Sequence, residues 1–295
     1  MKHLTALSDK NYILYGMALI ESLEKSTIPW TLHYYCIDDS TYTYLKQLNY
    51  ANVIPYPPNV LFINTFLPGS MGYQLTKYKT QQYDYFCWCL ASTFTNYIIS
   101  KVNCDSITYI DSDIYFHKDI RILFDAYGNV ECGLFRHRHF TDMTQDYPDG
   151  KYNVGVVYFK NSTRGRELLH WWADSVLFKK NKQYLTCGDQ KYLEFIVDVC
   201  APHEIYIDKG IGHGAGWHWH VYDFSKLSEG RVIWNGEEQD LVFTHFSKFK
   251  YNLVDRSFTC GWYKPDSVVF QNAELMKLHM DYLDALIVCS RKIRL

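Results

Sequence analysis

The stretch Thr108-Tyr-Ile-Asp111-Ser-Asp113-Ile-Tyr115 decides the fold class, because an apolar run stops at two carboxylates and then resumes. Residues 106–110 form a short β-type run of the kind that fills the middle of a parallel sheet. Asp111 would then emerge at the carboxyl end of a strand, where open α/β sheets bind ligands. An Asp-x-Asp triplet is expected roughly once by chance in a chain of this length, so its position carries the prediction. Two carboxylates at that edge suit Mg²⁺ or Mn²⁺.

Apolar runs alternate with helical patterns on both sides of this stretch. The predicted strands cover residues 4–7, 30–37, 106–110, 130–135, 154–159 and 241–244. The predicted helices cover residues 12–23, 85–102, 164–180, 188–199 and 272–287. Strands that alternate with helices predict an α/β fold with a mostly parallel central sheet flanked by helices. With no repeat or linker in sight, we expect a single domain over residues 1–295 that ends in a C-terminal helical tail.

The composition is that of a globular protein, with 47% hydrophobic and 21% charged residues among 295. The formal net charge is −2, and lysine and arginine are spread along the chain, which argues against nucleic acid as a partner. Aromatic residues reach 17%, including 26 tyrosines and 8 tryptophans. These are either core and surface aromatics or platforms that stack on sugar rings and a base.

The cysteines and the two ends of the chain bear on its location. Nine cysteines, without a disulfide framework or a paired Cys-x-x-Cys, indicate a reducing compartment. Residues 1–9 are too short an apolar stretch for a signal peptide, and no apolar run approaches the length of a membrane span. We therefore expect a cytoplasmic protein, at most peripheral at a membrane. The basic Arg291, Lys292 and Arg294 either complement a helix dipole or contact a membrane surface.

Two further segments place polar residues around predicted strands. In residues 5–12 a strand runs into a turn and a helix, and Ser8 or Asp9 could serve there simply as a helix cap. Asn153 and Gly155 open an otherwise apolar strand. A glycine in a strand marks either a close approach of ligand or chain, or a bulge.

Two more segments complete the set of polar residues at turns and strand ends. Asp189 lies in a turn that opens a helix, which is a common place for an aspartate. His245 follows the last predicted strand and could complete a metal site, although a lone histidine there is more often structural. Lys248 could neutralise a departing diphosphate. These segments and the carboxylate pair all lie at strand ends or turns, where a parallel sheet would bring them together.

Two irregular segments stand apart from the predicted elements. The polar loop over residues 136–150 has a length that is typical of functional or disordered segments. Residues 210–220 are rich in glycine, histidine and tryptophan and have no regular period. Zinc could bind there, because His-x-His spacing puts two rings on one face of a strand; the ligands would be His213, His218 and His220. The interleaved tryptophans favour instead a loop that binds an acceptor, made of Trp217, His218, Trp219 and His220.

In this order the segments resemble the metal-dependent nucleotide-sugar glycosyltransferases of the GT-A fold, most closely the family-8 and nucleotide-diphospho-sugar-transferase group. The resemblance covers most of residues 4–250. Its most specific stretches are Tyr109-Ile-Asp-Ser-Asp-Ile-Tyr-Phe116, Tyr152-Asn-Val-Gly-Val-Val-Tyr-Phe159 and Gly188-Asp-Gln-Lys-Tyr-Leu193. It implies a Rossmann-like sheet with a nucleotide-binding half (1–116), a sugar and acceptor half (117–250) and a C-terminal extension (251–295).

The resemblance also implies roles for single residues. The metal ion, Mn²⁺ or Mg²⁺, would bind Asp111, Asp113 and His245. The nucleotide would contact Ala6, Leu7, Asp9, Tyr12 and Ser112. The donor sugar would contact Asn153, Gly155 and Asp189, and the diphosphate would contact Lys248. Asp189 and Gln190 would be the catalytic residues.

The chain departs from the family pattern at two places. Family-8 members usually carry a basic residue in the helix before the metal motif, and residues 85–90 offer no clear match. Residues 214–220 match a family stretch only loosely. These departures leave the donor sugar and the acceptor open.

The implied activity is transfer of a sugar from a nucleotide diphosphate sugar, with a UDP-sugar expected, to a hydroxyl of a glycan or lipid-linked acceptor. The resemblance favours retention at the anomeric carbon, but Asp189 could act as a base, so inversion stays open. One alternative is a haloacid-dehalogenase-like phosphatase, whose nucleophile motif is also Asp-x-Asp after a strand. Another is a non-catalytic carbohydrate-binding protein.

Overall fold

The structure, a computed structural model, describes residues 1–138, 150–180, 183, 188–261 and 265–293. Most of the polar loop predicted over residues 136–150 lies outside these residues, as does Arg294 at the basic carboxyl end. No helix in the described ranges combines the length and the apolar character needed to cross a bilayer.

The described chain alternates strands and helices for most of its length. The strands are β1 (Lys2–Ser8), β2 (Trp30–Cys36), β3 (Val53–Tyr56), β4 (Ser106–Ile110), β5 (Ile114–Phe116), β6 (Cys132–Arg136), β7 (Tyr152–Lys160), β8 (Ile205–Ile207), β9 (Ile211–Ala215), β10 (Arg231–Trp234), β11 (Glu237–His245), β12 (Lys250–Asn252) and β13 (Ser257–Thr259). The helices are α1 (Ile13–Leu23), α2 (Asp39–Leu48), α3 (Met71–Gln81), α4 (Tyr83–Ile99), α5 (Arg121–Tyr127), α6 (Thr163–Leu177), α7 (Tyr192–Val199), α8 (Pro265–Gln271) and α9 (Ala273–Lys292).

The main sheet has seven strands in the order β3-β2-β1-β4-β7-β6-β8. Strands β3, β2, β1 and β4 are parallel, β7 runs antiparallel to both of its neighbours, and β8 is parallel to β6. One strand of seven therefore runs against the others. The predicted α/β fold with a mostly parallel sheet is confirmed.

Alternate residues of β4 face the two sides of this sheet, as the two-residue period of a strand requires. Ile107 and Tyr109 are buried in the core that also contains residues of α4, α6 and α7. Ile110 is buried in the core that contains residues of α1 and α9. The sheet is thus covered on both faces, which explains why all five β4 residues are buried.

A smaller sheet brings the end of β11 close to the end of β4. Its order is β10-β11-β5, and β9 also pairs with β11. His245, the last residue of β11, is the register partner of Ile114, the first residue of β5. Because β5 begins directly after Asp113, this antiparallel pairing carries His245 to the two carboxylates.

Strand β9 is an element that the sequence pattern missed, since residues 210–220 were expected to be irregular. Glycine is depleted in strands, so the Gly-His-Gly sequence hides the strand from a propensity argument. The glycines are required by packing. A Cβ at Gly214 would lie 2.0 Å from the ring of Trp219, and one at Gly212 would lie 2.9 Å from the carbonyl oxygen of Asp240.

Several boundaries differ from the predicted ones for local physical reasons. Helix α7 begins at Tyr192 and not at residue 188, because Gly188 has a φ of +53° and residues 188–191 form a turn. The C-terminal helix α9 is longer than predicted and ends at Lys292. Its start is capped by Asn272, whose Oδ1 accepts the N–H of Leu275 at 2.9 Å.

Candidate active site

Three side chains that could bind a metal ion meet at the carboxyl edge of the main sheet. Asp111 follows β4, Asp113 precedes β5, and His245 ends β11. The His245 Nε2 lies 3.0 Å from Asp113 Oδ1 and 3.5 Å from Asp111 Oδ2. One ligand atom from each residue lies within 4.8 Å of the others. This carboxylate cluster (Asp111, Asp113 and His245) unites the three predicted metal ligands.

Backbone hydrogen bonds hold the strands that carry the cluster. The N–H of Asp111 donates to the carbonyl of Gly155 at 2.9 Å, which ties the end of β4 to β7. The N–H of Phe246 donates to the carbonyl of Asp113 at 2.8 Å, which ties the end of β11 to the start of β5. Since β7 runs antiparallel to β4, its first residues lie where β4 ends. Asn153 therefore arrives beside the cluster.

The side chain of Asn153 orients the His245 ring. Its Oδ1 accepts the N–H of Gly155 at 2.8 Å and lies 3.1 Å from Nδ1 of His245. Because an amide oxygen only accepts, the second contact requires a proton on Nδ1. The Nε2 of a neutral ring is then free of a proton and faces the carboxylates, which is the arrangement in which histidine binds a metal ion. The Asn153 Nδ2 donates to Oε1 of Gln190 at 3.0 Å and links the cluster to the predicted catalytic turn.

Gly155 is needed because two side chains approach its Cα. A Cβ at this position would lie 2.6 Å from both Asn153 Oδ1 and His245 Nδ1. The pairing of β6 with β7 also shifts register between Gly133 and Phe135, opposite this part of β7. Both explanations of the strand glycine, a close approach of the chain and an irregular strand, therefore apply here.

Tyr109 contacts the carboxylate cluster, a role that the sequence pattern did not indicate. Its hydroxyl donates to Asp111 Oδ1 at 2.6 Å. Burial, followed by the Asp111 charge, raises the pKa of Tyr109 well above its ordinary value, so the hydroxyl stays protonated. Because Tyr109 lies within an apolar run, its sequence context predicts only a core aromatic. Its position two residues before Asp111, on the same strand face, was the available signal.

The electrostatics of the cluster favour a bound cation. Burial raises the pKa of Asp111 despite the opposing influence of His245. Burial and then the Asp111 charge raise the pKa of the nearby Asp189 well above its ordinary value. The pKa of His245 is raised overall, because the attraction of Asp113 and Asp111 outweighs its burial. Two carboxylate oxygens and an oriented imidazole nitrogen fit Mn²⁺ or Mg²⁺, which keep open positions for phosphate oxygens.

The predicted nucleotide contacts lie at the same edge of the sheet. Asp9 follows β1, and its Oδ1 accepts the N–H groups of Asn11 at 2.9 Å and Tyr12 at 3.2 Å. The Asp9 Oδ2 accepts from the hydroxyl of Tyr83 at the start of α4, at 3.2 Å. Asp9 therefore stabilises the turn before α1, but the expected helix cap at Ser8 or Asp9 does not form, since α1 is preceded by Tyr12 and has no side-chain cap. The Tyr12 ring is 45% exposed and could meet a ligand.

The other nucleotide residues lie deeper in the fold. Ala6 on β1 and Ser112 between the two carboxylates are buried, and Leu7 is partly buried. Contact between these residues and a nucleotide stays a prediction.

The predicted catalytic turn precedes α7. Asp189 is buried, and its carbonyl accepts the indole N–H of Trp172 at 3.0 Å. A Cβ at Gly188 would lie 2.5 Å from the ring of Trp88, so this tryptophan packs directly on the turn. Trp88 lies on α4, in the segment where the family-8 basic residue has no clear match, and is 41% exposed.

The predicted diphosphate and acceptor residues follow or flank β11. Lys248 is exposed three residues after His245, and its contact with a diphosphate stays a prediction. The ring centroid of Trp217 lies 5.2 Å from that of His245, and its indole N–H donates to the carbonyl of His137 at 2.7 Å. His218 and Trp219 are fully buried, whereas His220 is exposed. An acceptor could therefore reach His220 more readily than the two buried side chains.

The alternative zinc site at His213, His218 and His220 does not form. The ring nitrogens of His218 lie 2.9 Å from the carbonyl oxygen of His137 and 3.1 Å from that of His213, so backbone groups occupy both. Within the described ranges, the group of three metal-ligating side chains in mutual reach is the carboxylate cluster. The buried histidines of this segment are therefore structural and do not form the zinc site that the alternative hypothesis required.

Among the comparisons with known proteins, a solved structure shows the fold. No protein-family model matches the chain. It is 26% identical over 264 residues to the uncharacterized protein YfnF of Bacillus subtilis, covering 83% of this chain and 80% of that protein. It is 24% identical over 289 residues to YfnD of the same organism, covering 95% and 87%. Mouse xyloside xylosyltransferase 1, in its apo crystal structure, superposes with a TM-score of 0.52 at 17% identity, covering 83% of this chain and 97% of that one. The chain has the GT-A fold, as the sequence resemblance predicted.

Proposed function

We propose that this protein is a metal-dependent glycosyltransferase that moves a sugar from a nucleotide diphosphate sugar to a hydroxyl group. The observation that carries the proposal is the carboxylate cluster, in which Nε2 of His245 lies 3.0 Å from Asp113 and 3.5 Å from Asp111 at the ligand-binding edge of a GT-A sheet. A donor with a diphosphate complements this cluster, since a cation held by Asp111, Asp113 and His245 would supply positive charge to its phosphate groups.

The residues around the cluster have separable tasks in this proposal. Bound Mn²⁺ or Mg²⁺ would supply positive charge to the leaving diphosphate. Asp111, Asp113 and His245 would hold the ion, and Tyr109 would fix one oxygen of Asp111 by its hydrogen bond. Lys248 is the candidate for a second positive contact to the diphosphate.

The base and ribose of the donor would lie along the ends of β1 and β4. We assign this contact to Ala6, Leu7, Asp9, Tyr12 and Ser112, with the exposed ring of Tyr12 as the stacking surface. A UDP-sugar is the donor we propose. The sugar ring would reach Asn153, Gly155 and Asp189, which surround the cluster on β7 and in the turn before α7.

The stereochemical outcome rests on Asp189 and Gln190. Asp189 is buried, and burial raises the pKa of its carboxyl. We propose retention, which the family resemblance favours. Gln190 is tied to Asn153 and would lie beside the reacting carbon.

The acceptor we propose is a hydroxyl of a glycan or of a lipid-linked sugar. Trp217 and His220 are the proposed contacts. Trp217 lies against His245 at the cluster, and His220 has the exposed side chain of the segment.

Thermal stabilisation by nucleotide sugars tests the proposal. A panel of UDP-, GDP- and CMP-sugars is added to the protein with and without Mn²⁺, and the unfolding midpoint is recorded. A ligand at about a hundred times its Kd stabilises the native state by about 2.7 kcal/mol. We expect the largest shift with a UDP-sugar and Mn²⁺ together, and release of UDP when an acceptor is present.

Asp240→Asn is the matched control for Asp111→Asn in this assay. Asp240 is a half-exposed carboxylate that pairs with Lys118, away from the cluster. The control should keep the metal-dependent shift, and Asp111→Asn should lose it. A shift that is independent of Mn²⁺ and retained by Asp111→Asn would refute the metal-site assignment. Phosphate release from a simple monoester would favour the phosphatase, and glycan binding indifferent to UDP would favour a carbohydrate-binding protein.

A further inference from the structure

The segment between β3 and α4 carries exposed apolar side chains that the proposed function does not use. Ile63, Phe66 and Leu67 are 56%, 96% and 60% exposed. Tyr73 on α3 and Tyr83 at the start of α4 are also exposed. Single exposed apolar residues are normal on proteins, but three within five positions form a concentrated surface. We call Ile63, Phe66 and Leu67 the apolar tip.

The backbone of the tip is tied to α3. The Ser70 hydroxyl donates to the carbonyl of Asn64 at 2.7 Å, and the N–H of Leu67 donates to the same carbonyl at 3.0 Å. A Cβ at Gly72 would lie 2.2 Å from the carbonyl oxygen of Ile63, so the first turn of α3 packs directly on the tip. The exposure of the tip is therefore set by the fold.

The part of the sequence that carries the tip has side-chain charge of one sign. Residues 40–83 contain no aspartate or glutamate, although the whole chain has 32 acidic residues. Lys77 and Lys79 are exposed on α3. The Lys79 Nζ lies 5.4 Å from the ring centroid of Phe62, which places a cation next to the tip. Apolar side chains flanked by lysines match an anionic lipid surface, where the former enter the interface and the latter meet the headgroups.

The tip lies on the edge of the main sheet that carries the carboxylate cluster. The segment leaves β3 at its carboxyl end, and β3 belongs to the parallel set with β4. The Tyr35 hydroxyl at the end of β2 donates to the carbonyl of Pro58 at 2.7 Å. At the other end of the segment, Tyr83 bonds Asp9. Both ends are anchored at the ligand-binding edge.

We propose that the apolar tip inserts into the interface of an anionic lipid bilayer and that Lys77 and Lys79 bind the lipid phosphates. This surface differs from the basic carboxyl end that the sequence suggested. Lys292 there is paired with Glu21 at 2.6 Å, so part of its charge is already used within the protein. Docking through the tip would bring the carboxylate-cluster edge to the membrane.

Vesicle flotation tests the proposal with the full chain and no nucleotide sugar, so its result does not depend on the proposed activity. Vesicles of phosphatidylcholine alone are compared with vesicles that also contain phosphatidylglycerol. We expect the protein to float with the anionic vesicles. Phe66→Ser combined with Leu67→Ser should weaken partitioning at least about tenfold. Lys77→Gln should weaken it about fivefold, and only on anionic vesicles.

Two matched controls share the chemistry of these variants but not their location. Val254→Ser removes an apolar side chain that is 93% exposed in the turn between β12 and β13. Lys101→Gln removes an exposed lysine just beyond the end of α4, at the opposite edge of the sheet. Both should bind like the unaltered protein, and an unchanged unfolding midpoint of the Phe66/Leu67 variant shows that it folds.

Three results would overturn the proposal. The unaltered protein could fail to float with anionic vesicles, or the Phe66/Leu67 variant could float as well as the unaltered protein. The third is lipid-free self-association, measured by sedimentation velocity, that the same variant abolishes. In that case a second copy of the chain covers the tip.

Discussion

Two clusters of this molecule combine aspartate with histidine, but they differ in how their charge is balanced and in burial, since the Asp111 side chain is partly exposed and that of Asp208 is fully buried. In the carboxylate cluster, Asp111 and Asp113 share His245. In the arginine cluster, which we define as Arg138, Asp208 and His213, the fully buried guanidinium of Arg138 donates to Asp208 through Nε at 2.8 Å and Nη2 at 2.6 Å. The carboxylate cluster has two carboxylates for one imidazole, whereas the arginine cluster pairs its single carboxylate with a guanidinium.

The remaining donors of Arg138 are also satisfied. Its Nη1 donates to the Tyr222 hydroxyl at 2.7 Å and to Gln239 Oε1 at 3.0 Å, and its guanidinium lies 4.1 Å from the ring centroid of Trp234. Arg136 adds a second ion pair to Asp208. The charged groups of Arg138 and Asp208 therefore have protein partners on all sides, so this ion pair is a structural one.

The pKa values of the two clusters diverge accordingly. The pKa of Asp208 is lowered although burial opposes this, because the His213 contact and the Arg138 charge favour the ionised form. Burial and Arg138 lower the pKa of His213 to about 4, so it is neutral. The pKa of Asp111 is raised and that of His245 is raised. The comparison teaches that buried carboxylates signal a ligand site when the protein leaves their charge unbalanced, and a structural pair when it does not.

The largest expected effect concerns the arginine cluster. Asp208→Asn leaves the buried Arg138 charge without its partner, which should lower the free energy of unfolding by about 3–5 kcal/mol. Urea denaturation followed by tryptophan fluorescence measures this. Asp240→Asn, at a half-exposed ion pair, should cost at most about 1 kcal/mol. Equal losses in the two variants would contradict the structural role of Asp208.

For the carboxylate cluster we expect a large loss of turnover and little loss of stability. Asp111→Asn should reduce turnover by about 10²–10³-fold, since one charged ligand of the proposed cation is lost. Stability without metal should stay within about 1 kcal/mol or rise, because the substitution removes a carboxylate whose ionised form is disfavoured. UDP release and urea denaturation on the same preparation separate the two effects. A large loss of stability with normal turnover would reverse the assignment of the two clusters.

A smaller effect is expected on Mn²⁺ affinity, and it should differ between the amide side chains that contact the two clusters. Asn153→Ala removes the acceptor that orients His245, so Mn²⁺ affinity should fall about 10–100-fold. Gln239→Ala, which removes an acceptor from Arg138 in the same way, should leave Mn²⁺ affinity unchanged. Isothermal titration with Mn²⁺ provides the measurement. Unchanged affinity in Asn153→Ala would show that the ring orientation does not depend on this amide.

The smallest expected effect is a pH dependence of the arginine cluster. The folded pKa of Asp208 lies below its unfolded value of about 3.9, so its stabilising contribution is complete above that value and is lost as pH falls through and below it. The stability difference between the unaltered protein and Asp208→Asn should therefore be constant from pH 7 to pH 5. It should shrink as the pH falls below about 4, where the carboxyl of the unfolded chain becomes protonated. Urea denaturation across this range measures it, and a difference that grows on acidification would contradict the lowered pKa.

Much of the fold was predictable because its elements have strong local patterns. The apolar residues of β4 and the long helical pattern of α4 were located nearly to their observed bounds. Strand β3 was missed because it is a short edge strand that contains Pro55, and β9 because it contains two glycines. These elements form through pairing with a neighbouring strand, which leaves little trace in their own sequence.

The site was predictable in part for the same reason. The residues of the carboxylate cluster stand at strand ends and are polar residues beside apolar runs, so Asp111, Asp113 and His245 could be named. Tyr109 and Arg138 could not, because an aromatic in a strand and an arginine in a polar loop are ordinary features until their partners are known. The same limit applied to His218 and Trp219, whose burial depends on segments distant in sequence.

The sequence by itself determined the alternation of strands and helices and the carboxylate pair at the end of β4, because both are local patterns with a period or a boundary. Only the tertiary structure decided what surrounds that pair. The antiparallel run of β7 delivers Asn153, and the pairing of β11 with β5 delivers His245. Arg138 meets Asp208 in the same long-range way. Whether the charge of an aspartate is balanced depends on such distant partners. The sequence could therefore suggest a metal site at Asp111 and Asp113, but only the folded chain distinguishes these residues from Asp208.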